Sequence, residues 1–309
     1  MANELTVIIP VYNRETLVRR TLESLRAQTA PGFDTVLVDN GSSDSSLTVL
    51  RQWAADNASA ERPVRVLSEH TPGACAARNA GLAACATPWV LFFDSDDEMA
   101  PGHIARVLEG IRSHPTAQVL GWDTYHTGLG VRRFRVSDIE WYNVFEGNFA
   151  TQRWAAPTEL VRRAGGWNRE IKLWDDIELG SRLLALHPEV VRLEGEPTVT
   201  VHPQEVSIST NASGDYLERM EASLQSIASR LAPEQRIWTD YVRMIVAGNT
   251  YRSAPDAKVR QKALAVARKA AGRAPSLRHR LLMWSTYHFR RLGGRGQNRV
   301  LKLILSKKL

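Results

Sequence analysis

Apolar stretches alternate with amphipathic ones along the first 125 residues of the chain. The stretch 5–11, LTVIIPV, is almost continuously apolar, which is typical of a strand buried on both faces of a parallel sheet. Shorter stretches of the same kind predict strands at 35–38, 64–67, 89–93 and 119–122. Apolar positions at helical spacing predict helices at 17–25, 45–54, 73–85 and 101–112. This alternation predicts an α/β fold with a mostly parallel, twisted sheet flanked by helices.

The pattern is less regular after residue 125. Residues 128–156 mix polar and aromatic positions and allow no assignment. Beyond them we predict helices at 157–164 and 175–186, a strand at 196–201, and helices from residue 216 that are interrupted near Pro233, Pro255 and Pro275. We therefore expect a sheet-containing domain over 1–212, with halves 1–125 and 126–212, and an α-helical appendage over 213–309.

The composition is that of an ordinary globular protein. Hydrophobic residues make up 43% and charged residues 24%, which excludes a disordered or collagen-like chain. Two cysteines cannot build a disulfide framework. The sequence has no apolar run of bilayer-spanning length and no signal-peptide pattern over 1–4, so a cytoplasmic location is expected.

The net charge of +7 is unevenly distributed. Of the 40 basic residues, 15 follow residue 256, and none of the 33 acidic residues does. Apolar and aromatic residues are interleaved with them, a composition typical of helices that lie on an anionic membrane surface, here the inner face of the cell membrane. A helical appendage docked on the core, with a solvated basic face, is the open alternative. No recognition motif accompanies the charge, so no nucleic-acid partner is expected.

Polar clusters follow three of the predicted strands. They are Tyr12 to Arg14, Asp39 to Asp44 and Asp94 to Asp97. Ligands of open α/β sheets bind at the carboxyl ends of the strands, although each cluster alone could be a solvated turn or a helix cap. Asp94 and Asp96 are alternate residues, whose carboxylates would point the same way and repel unless a divalent cation lies between them.

Four segments in this order resemble glycosyltransferase family 2 of bacterial type, which has the GT-A fold. They are VIIPVYNR at 7–14, VLVDNGSSD at 36–44, GACAARNAGLA at 73–83 and FFDSDD at 92–97. The resemblance covers about residues 4–205. It implies an inverting transfer of a sugar from a nucleotide-diphosphate donor, with UDP favoured, to a hydroxyl group of a glycan or lipid-linked acceptor.

The resemblance also implies roles for individual residues. Asp39 matches an acid that binds the edge of the uracil ring, and Arg78 a residue near the base or ribose, although a surface helix position is the alternative for Arg78. Asp96 would bind Mn²⁺ or Mg²⁺, with His202 as a further ligand or as a structural histidine. The full set expected at the nucleotide-sugar site is Pro10, Tyr12, Asn13, Asp39, Arg78, Asp94 and Ser95.

Asp175 and Asp176 open a predicted helix after Gly165-Gly166-Trp167, as in the family. Asp176 matches the general base, and Asp175 stands where glutamate is more usual. Adjacent acids at this position could instead complement the helix dipole. Glu178 and Arg182, four residues apart, could simply pair on the helix.

Aromatic residues are concentrated between 141 and 174 and could stack on an acceptor sugar or pack in the core. They are Trp141, Tyr142, Trp154, Trp167 and Trp174. The main rival function is a non-catalytic nucleotide-sugar-binding or scaffold protein on the same fold, which would be expected to lose a metal carboxylate or the base. A nucleotidyltransferase should carry a glycine-rich loop after its first strand, and PVYNRE at 10–15 has no glycine.

Overall fold

The computed structural model describes residues 2–135, 148–203 and 215–294. They form two compact units, which we call the sheet unit (2–135, 148–170 and 175–203) and the helical unit (171–174 and 215–294). The predicted boundary at residue 212 lies outside the described residues and stays a prediction.

The described part of the sheet unit contains a large, mostly parallel sheet. Its strands are β1 (Leu5–Val11), β2 (Phe33–Asp39), β3 (Val64–Ser68), β4 (Trp89–Phe92), β6 (Val119–Gly121), β9 (Trp154–Pro157) and β10 (Val190–Arg192). They are arranged in the order β10-β6-β9-β4-β1-β2-β3. Strand β9 runs antiparallel to both neighbours, and the other neighbouring pairs are parallel. This confirms the predicted α/β fold.

Short strands form a second sheet in the order β5-β11-β7-β8. They are β5 (Glu98–Met99), β7 (Thr124–His126), β8 (Gly130–Arg132) and β11 (Val199–Val201). The helices of the sheet unit are α1 (Leu17–Arg26), α2 (Ser46–Asn57), α3 (Ala74–Ala84), α4 (His103–Ser113), α5 (Thr158–Arg163) and α6 (Asp175–Leu184). A 3₁₀ turn, Thr151–Arg153, precedes β9.

The core lies on both faces of the large sheet, and β1 is buried along its whole length. Val7 and Ile9 belong to the apolar cluster on one face and Ile8 to the cluster on the other, as strand alternation requires. Helix α3 approaches β1 so closely that a Cβ atom on Gly81 would lie 2.4 Å from the Cγ2 of Ile8. The small residues of α3 therefore allow this helix to lie directly on the sheet.

The helical unit contains α7 (Tyr216–Arg230), α8 (Ile237–Ser253), α9 (Ala257–Gly272) and α10 (Leu277–Arg291). Its core is formed around the buried rings of Trp238, Tyr241 and Tyr287. Pro233, Pro255 and Pro275 lie in the three connections, which confirms the predicted helix breaks. Within the described ranges, no helix is both long and apolar enough to span a membrane.

Candidate active site

The three polar clusters lie at one edge of the large sheet. Strands β1 and β2 pair in parallel up to Val11 and Asp39, and β4 pairs with β1 on the other side. The backbone N–H of Phe93 donates to the carbonyl of Ile8. Asp94 is therefore the first residue after the backbone hydrogen bonds between β4 and β1 end. The segments after the three strands therefore meet at the carboxyl edge, as the sequence predicts.

Asp39 has a buried carboxylate with one oxygen atom free. Its Oδ2 accepts the backbone N–H groups of Gly41 and Ser42, each at 3.2 Å. Its Oδ1 has no hydrogen-bond partner among the described residues, although only 3% of Asp39 is exposed. A buried acceptor without a partner costs about 1–3 kcal/mol, which a ligand N–H group would recover. Tyr12, which follows β1, is 58% exposed at the same edge.

Asn13 and Asn40 hold the loops around Asp39. The Oδ1 of Asn13 accepts the backbone N–H of Ser43 at 2.8 Å, and Asn13 itself has a positive φ of 49°. The side chain of Asn40 donates to two carbonyl groups and accepts the N–H of Gly73 at 2.7 Å. The side chain of Asn13 thus has a structural partner, and its predicted contact with the nucleotide stays a prediction.

Arg78 connects two acids that lie far apart in the sequence. Its guanidinium donates to Asp94 Oδ1 at 2.8 Å and to Asp175 Oδ2 at 2.9 Å. It also lies over the ring of Trp167, 4.3 Å from the ring centre. Because Arg78 is buried, the alternative of a surface helix residue is wrong. Helix α6 and the segment after β4 therefore share one cation, which offsets part of the repulsion between their acids.

The acids after β4 differ in their surroundings. Asp94 accepts the side-chain amide of Gln152 at 2.8 Å in addition to Arg78. Asp97 is buried and accepts the backbone N–H of His202 at 2.9 Å and the amide of Gln152. Burial and the charge of Asp94 raise the pKa of Asp97 to about 8.

Asp96 is half-buried, and its carboxylate accepts a hydrogen bond from its own backbone N–H. Burial and the nearby charge of Asp94 raise the pKa of Asp96. Magnesium and manganese are commonly held by one or two carboxylates together with substrate phosphates. Asp94 and Asp96 therefore fit such an ion.

The ring of His202 has protein partners. Its Nε2 lies 2.5 Å from Glu98 Oε2, and its Nδ1 lies 3.3 Å from the hydroxyl of Thr127. Across residues 2–135, 148–203 and 215–294, no three His, Cys, Asp or Glu side chains are grouped to bind one ion. The role of His202 as a metal ligand stays a prediction.

The acids at the start of α6 also differ from one another. Glu178 is fully buried and paired with Arg182 at 2.7 Å, which confirms the expected i, i+4 pair. Asp175 is bound by Arg78 and by the thiol of Cys75, whose Sγ is 3.2 Å away. Asp176 accepts the backbone N–H of Ile177 at 2.7 Å, and burial and the charge of Asp175 raise its pKa to about 7. A carboxylate with this pKa can take up a proton near neutral pH.

The expected aromatic residues fall into three groups. Trp154 and Trp167 are buried in the core cluster under α3, α5 and α6, so packing explains their position. Trp174 is half-buried and belongs to the helical unit. Trp141 and Tyr142 lie outside the described residues.

Comparison with known proteins identifies the family. Residues 6–168 match the model of glycosyl transferase family 2. This chain belongs to glycosyl transferase family 2. The family 2 chain is 32% identical over 103 residues to the putative glycosyltransferase EpsH of Bacillus subtilis, a match that covers 33% of the chain and 29% of EpsH. It is 35% identical to the poly(ribitol-phosphate) beta-glucosyltransferase of Bacillus spizizenii, over 41% of the chain and 20% of that protein. These matches therefore span less than a third of either relative.

Solved structures of low sequence identity share the fold. S. aureus TarS in complex with UDP-GlcNAc superposes with a TM-score of 0.67 at 18% identity, over 94% of this family 2 chain and 87% of that one. The mannosyltransferase PcManGT from Pyrobaculum calidifontis, in complex with GDP-Man and Mn²⁺, has a TM-score of 0.58 at 18% identity, over 99% and 85% of the two chains. The predicted GT-A fold is confirmed.

Sequence reasoning missed Gln152, which binds both Asp94 and Asp97. Gln152 lies in the 3₁₀ turn before β9, within the stretch 128–156 that had no assignable pattern. A single glutamine there carries no signal of its own. Only the insertion of β9 between β4 and β6 brings it to the acids.

Proposed function

We propose that this family 2 protein is an inverting, metal-dependent glycosyltransferase. It would move a sugar from a UDP-sugar donor to a hydroxyl group of a glycan or lipid-linked acceptor. The observation that carries the proposal is the position of Arg78 between Asp94 and Asp175. This ion pair joins the acids after β4 to the acid pair of α6, so the donor carboxylates and the candidate base belong to one site.

Asp39 supports a uracil-containing donor. Its free Oδ1 is a buried acceptor suited to a ring N–H group, and cytosine lacks a proton at the equivalent ring nitrogen. The fold neighbour TarS was crystallised with UDP-GlcNAc. The exposed ring of Tyr12 at the same edge could cover the base.

Asp94 and Asp96 would hold Mn²⁺ or Mg²⁺ together with the donor. The ion, when bound, stabilises the negative charge that develops on the leaving diphosphate. Arg78 and Gln152 hold Asp94 from two sides, which limits the rotation of its carboxylate. Asp94 can then act as a pre-positioned ligand for the donor.

Asp176 is the proposed general base. Inversion requires the acceptor hydroxyl to attack from the side opposite to the leaving diphosphate, so the proton must be removed on the acceptor side. The raised pKa of Asp176, about 7, makes it a better base than an exposed aspartate and leaves a large ionised fraction at neutral pH. Asp175 is engaged by Arg78 and is therefore the less available of the two.

The first test is nucleotide release from a panel of UDP-, GDP- and TDP-sugars with Mn²⁺ or Mg²⁺, because slow hydrolysis can replace transfer when no acceptor is present. We expect metal-dependent release from a UDP-sugar, and its loss in Asp96→Ala and Asp176→Asn. Asp56→Asn, which changes an exposed acid on α2, serves as the matched control. Release that survives in both site variants would contradict the assignment.

Calorimetry with UDP separates binding from catalysis. We expect UDP binding that is lost in Asp39→Ala and retained in Asp176→Asn. Binding without release from any donor, even with an acceptor extract, would favour the non-catalytic alternative. No nucleotide binding at all would overturn the proposed function.

A further inference from the structure

Helix α10 carries a row of exposed leucines on its outer side. Leu277 is 69% exposed and Leu281 62%, and Leu292, just past the end of the helix, is 85% exposed. Separations of four and eleven residues place their side chains on one face of an α-helix. Met283 and Thr286, about 120° and 180° around the helix from Leu277, are buried, and Met283 belongs to the core of the helical unit. The row is therefore not the face with which α10 packs on its own core.

This concentration of exposed apolar area is unusual for the molecule. The described residues contain eight large apolar side chains that are strongly exposed, and four of them lie in the segment 277–292, where Phe289 is the fourth. A concentration of exposed apolar side chains on one helix is typical of an interaction surface, whereas single exposed residues are not.

Arginines flank the row on both sides. At 100° per residue, Arg278 lies on one side of the leucines, and Arg280 and Arg291 lie on the other. The sequence from residue 257 onward contains no acidic residue. A second copy of this surface would bring like charges together, which opposes self-association. Three of the four exposed apolar side chains are leucines, which offer no flat ring on which nucleic-acid bases could stack, and Phe289 is the single aromatic residue among the four.

We propose that the outer face of α10 docks on an anionic lipid surface. The leucines of the face (Leu277, Leu281 and Leu292) would enter the boundary between headgroups and acyl chains, while the flanking guanidinium groups contact lipid phosphates. Two weak signals, apolar burial and charge attraction, add to give useful binding where either alone is marginal. This inference does not depend on the proposed enzymatic reaction.

The experiment is co-sedimentation of the full-length protein with vesicles. Vesicles of phosphatidylcholine with about one third phosphatidylglycerol are compared with pure phosphatidylcholine. We expect binding to the anionic vesicles that weakens with salt, and little binding to the neutral ones. Leu277→Ser with Leu281→Ser should weaken binding by at least about tenfold, because two leucines lose their burial in the lipid. Arg278→Glu with Arg280→Glu should weaken it comparably.

Matched controls keep the test specific. Leu129→Ser with Val131→Ser removes two exposed apolar side chains from the sheet unit, and Arg19→Glu with Arg51→Glu reverses two exposed charges there. Both control pairs should bind vesicles like the wild type, and thermal melting shows whether each variant is folded. Equal loss in the controls, or unchanged binding in the α10 variants, overturns the proposal. Concentration-dependent dimerisation that the leucine pair abolishes, without vesicle binding, would show a self-association surface instead.

Discussion

The two units contain acids with opposite surroundings. In the helical unit, Asp240 is paired with Arg243 at 3.1 Å and with Arg273, whose Nε lies 3.0 Å away. In the sheet unit, Asp94 shares Arg78 with Asp175, and the carboxylate of Asp96 accepts its own backbone N–H and lies near the charges of Arg14 and Arg20. The first arrangement neutralises its acid within the protein, and the second leaves part of the negative charge uncompensated.

This difference separates a structural acid from a ligand-binding one. Folding pays a free-energy cost for a buried carboxylate that lacks a partner, and such a cost persists where a ligand or a proton later supplies the missing charge. The raised pKa values of Asp96, Asp97 and Asp176 record that cost at the sheet edge. The comparison predicts that substitutions at the sheet edge lower activity more than stability. A substitution of Asp240 should lower stability more than activity.

The largest effect is expected for Asp176→Asn. Loss of a general base should lower kcat by about 10²–10⁴-fold while UDP binding persists. Because the pKa of Asp176 is raised to about 7, wild-type kcat/KM should fall as the pH drops below about 7 and the base becomes protonated. The measurement is a pH–rate profile of sugar transfer or donor hydrolysis. If the fall in kcat/KM at acidic pH were the same in Asp176→Asn as in the wild type, another residue would be the general base.

Asp240→Ala should destabilise the helical unit by about 3 kcal/mol, because Arg243 is buried and loses one of its partners. Equilibrium unfolding in urea measures this loss. The matched control is Glu218→Ala, which breaks the exposed pair with Lys262 and should cost no more than about 1 kcal/mol. Donor hydrolysis below the unfolding transition should be unaffected in both variants. Similar losses of stability would remove the distinction between the two pairs.

Gln152→Ala should weaken the apparent affinity for the metal by about tenfold. Gln152 is a positioning residue, because its amide donates to both Asp94 and Asp97 and so fixes two acids that repel each other. The expected change is a rise in the metal concentration needed for half-maximal rate, with a smaller change in kcat. Gln152→Glu should be worse than Gln152→Ala because it adds a third negative charge. Gln118→Ala, which changes an exposed glutamine, is the control and should titrate with metal like the wild type. If Gln118→Ala shifted the metal titration as much as Gln152→Ala, the positioning role of Gln152 would be contradicted.

The last prediction concerns Asp97 and the pH dependence of stability. Its pKa is about 8 in the folded protein and near 4 in an unfolded chain. The folded state therefore holds more protons between these values, and its contribution to the free energy of unfolding falls by about 1 kcal/mol per pH unit as the pH rises. Asp97→Asn should flatten this slope in urea unfolding with a chelator present. A slope equal to that of the wild type would show that Asp97 is already ionised when folded.

The fold could be predicted wherever the buried positions recur at the regular spacing of a strand or a helix. Strand β1 and helices α1 and α3 match their predictions with ends that differ by one residue or less, because their buried positions alternate or recur at helical spacing. Strands β7, β8 and β10 were missed because they are short and partly exposed, whereas β6, which is equally short but fully buried, was predicted. Strand β9 has four residues, and its antiparallel placement depends on partners more than thirty residues away.

The site could be predicted in its acids but not in their partners. The sequence places Asp39, Asp94 and Asp96 at one sheet edge because parallel strands end together. It gives no sign that Arg78 pairs with Asp175, 97 positions along the chain. Nor does it distinguish tryptophans that bind sugars from Trp154 and Trp167, which pack in the core.

The sequence by itself determined the fold class, the acids at the strand ends and the proline breaks between the C-terminal helices, because each depends on neighbours within one element. The tertiary structure alone decided which acid keeps a partner and which face of α10 stays exposed. Those properties depend on distances and dielectric surroundings that arise only when β9, α3 and α6 pack around the sheet edge, and when Met283 and Tyr287 of α10 enter the core of the helical unit.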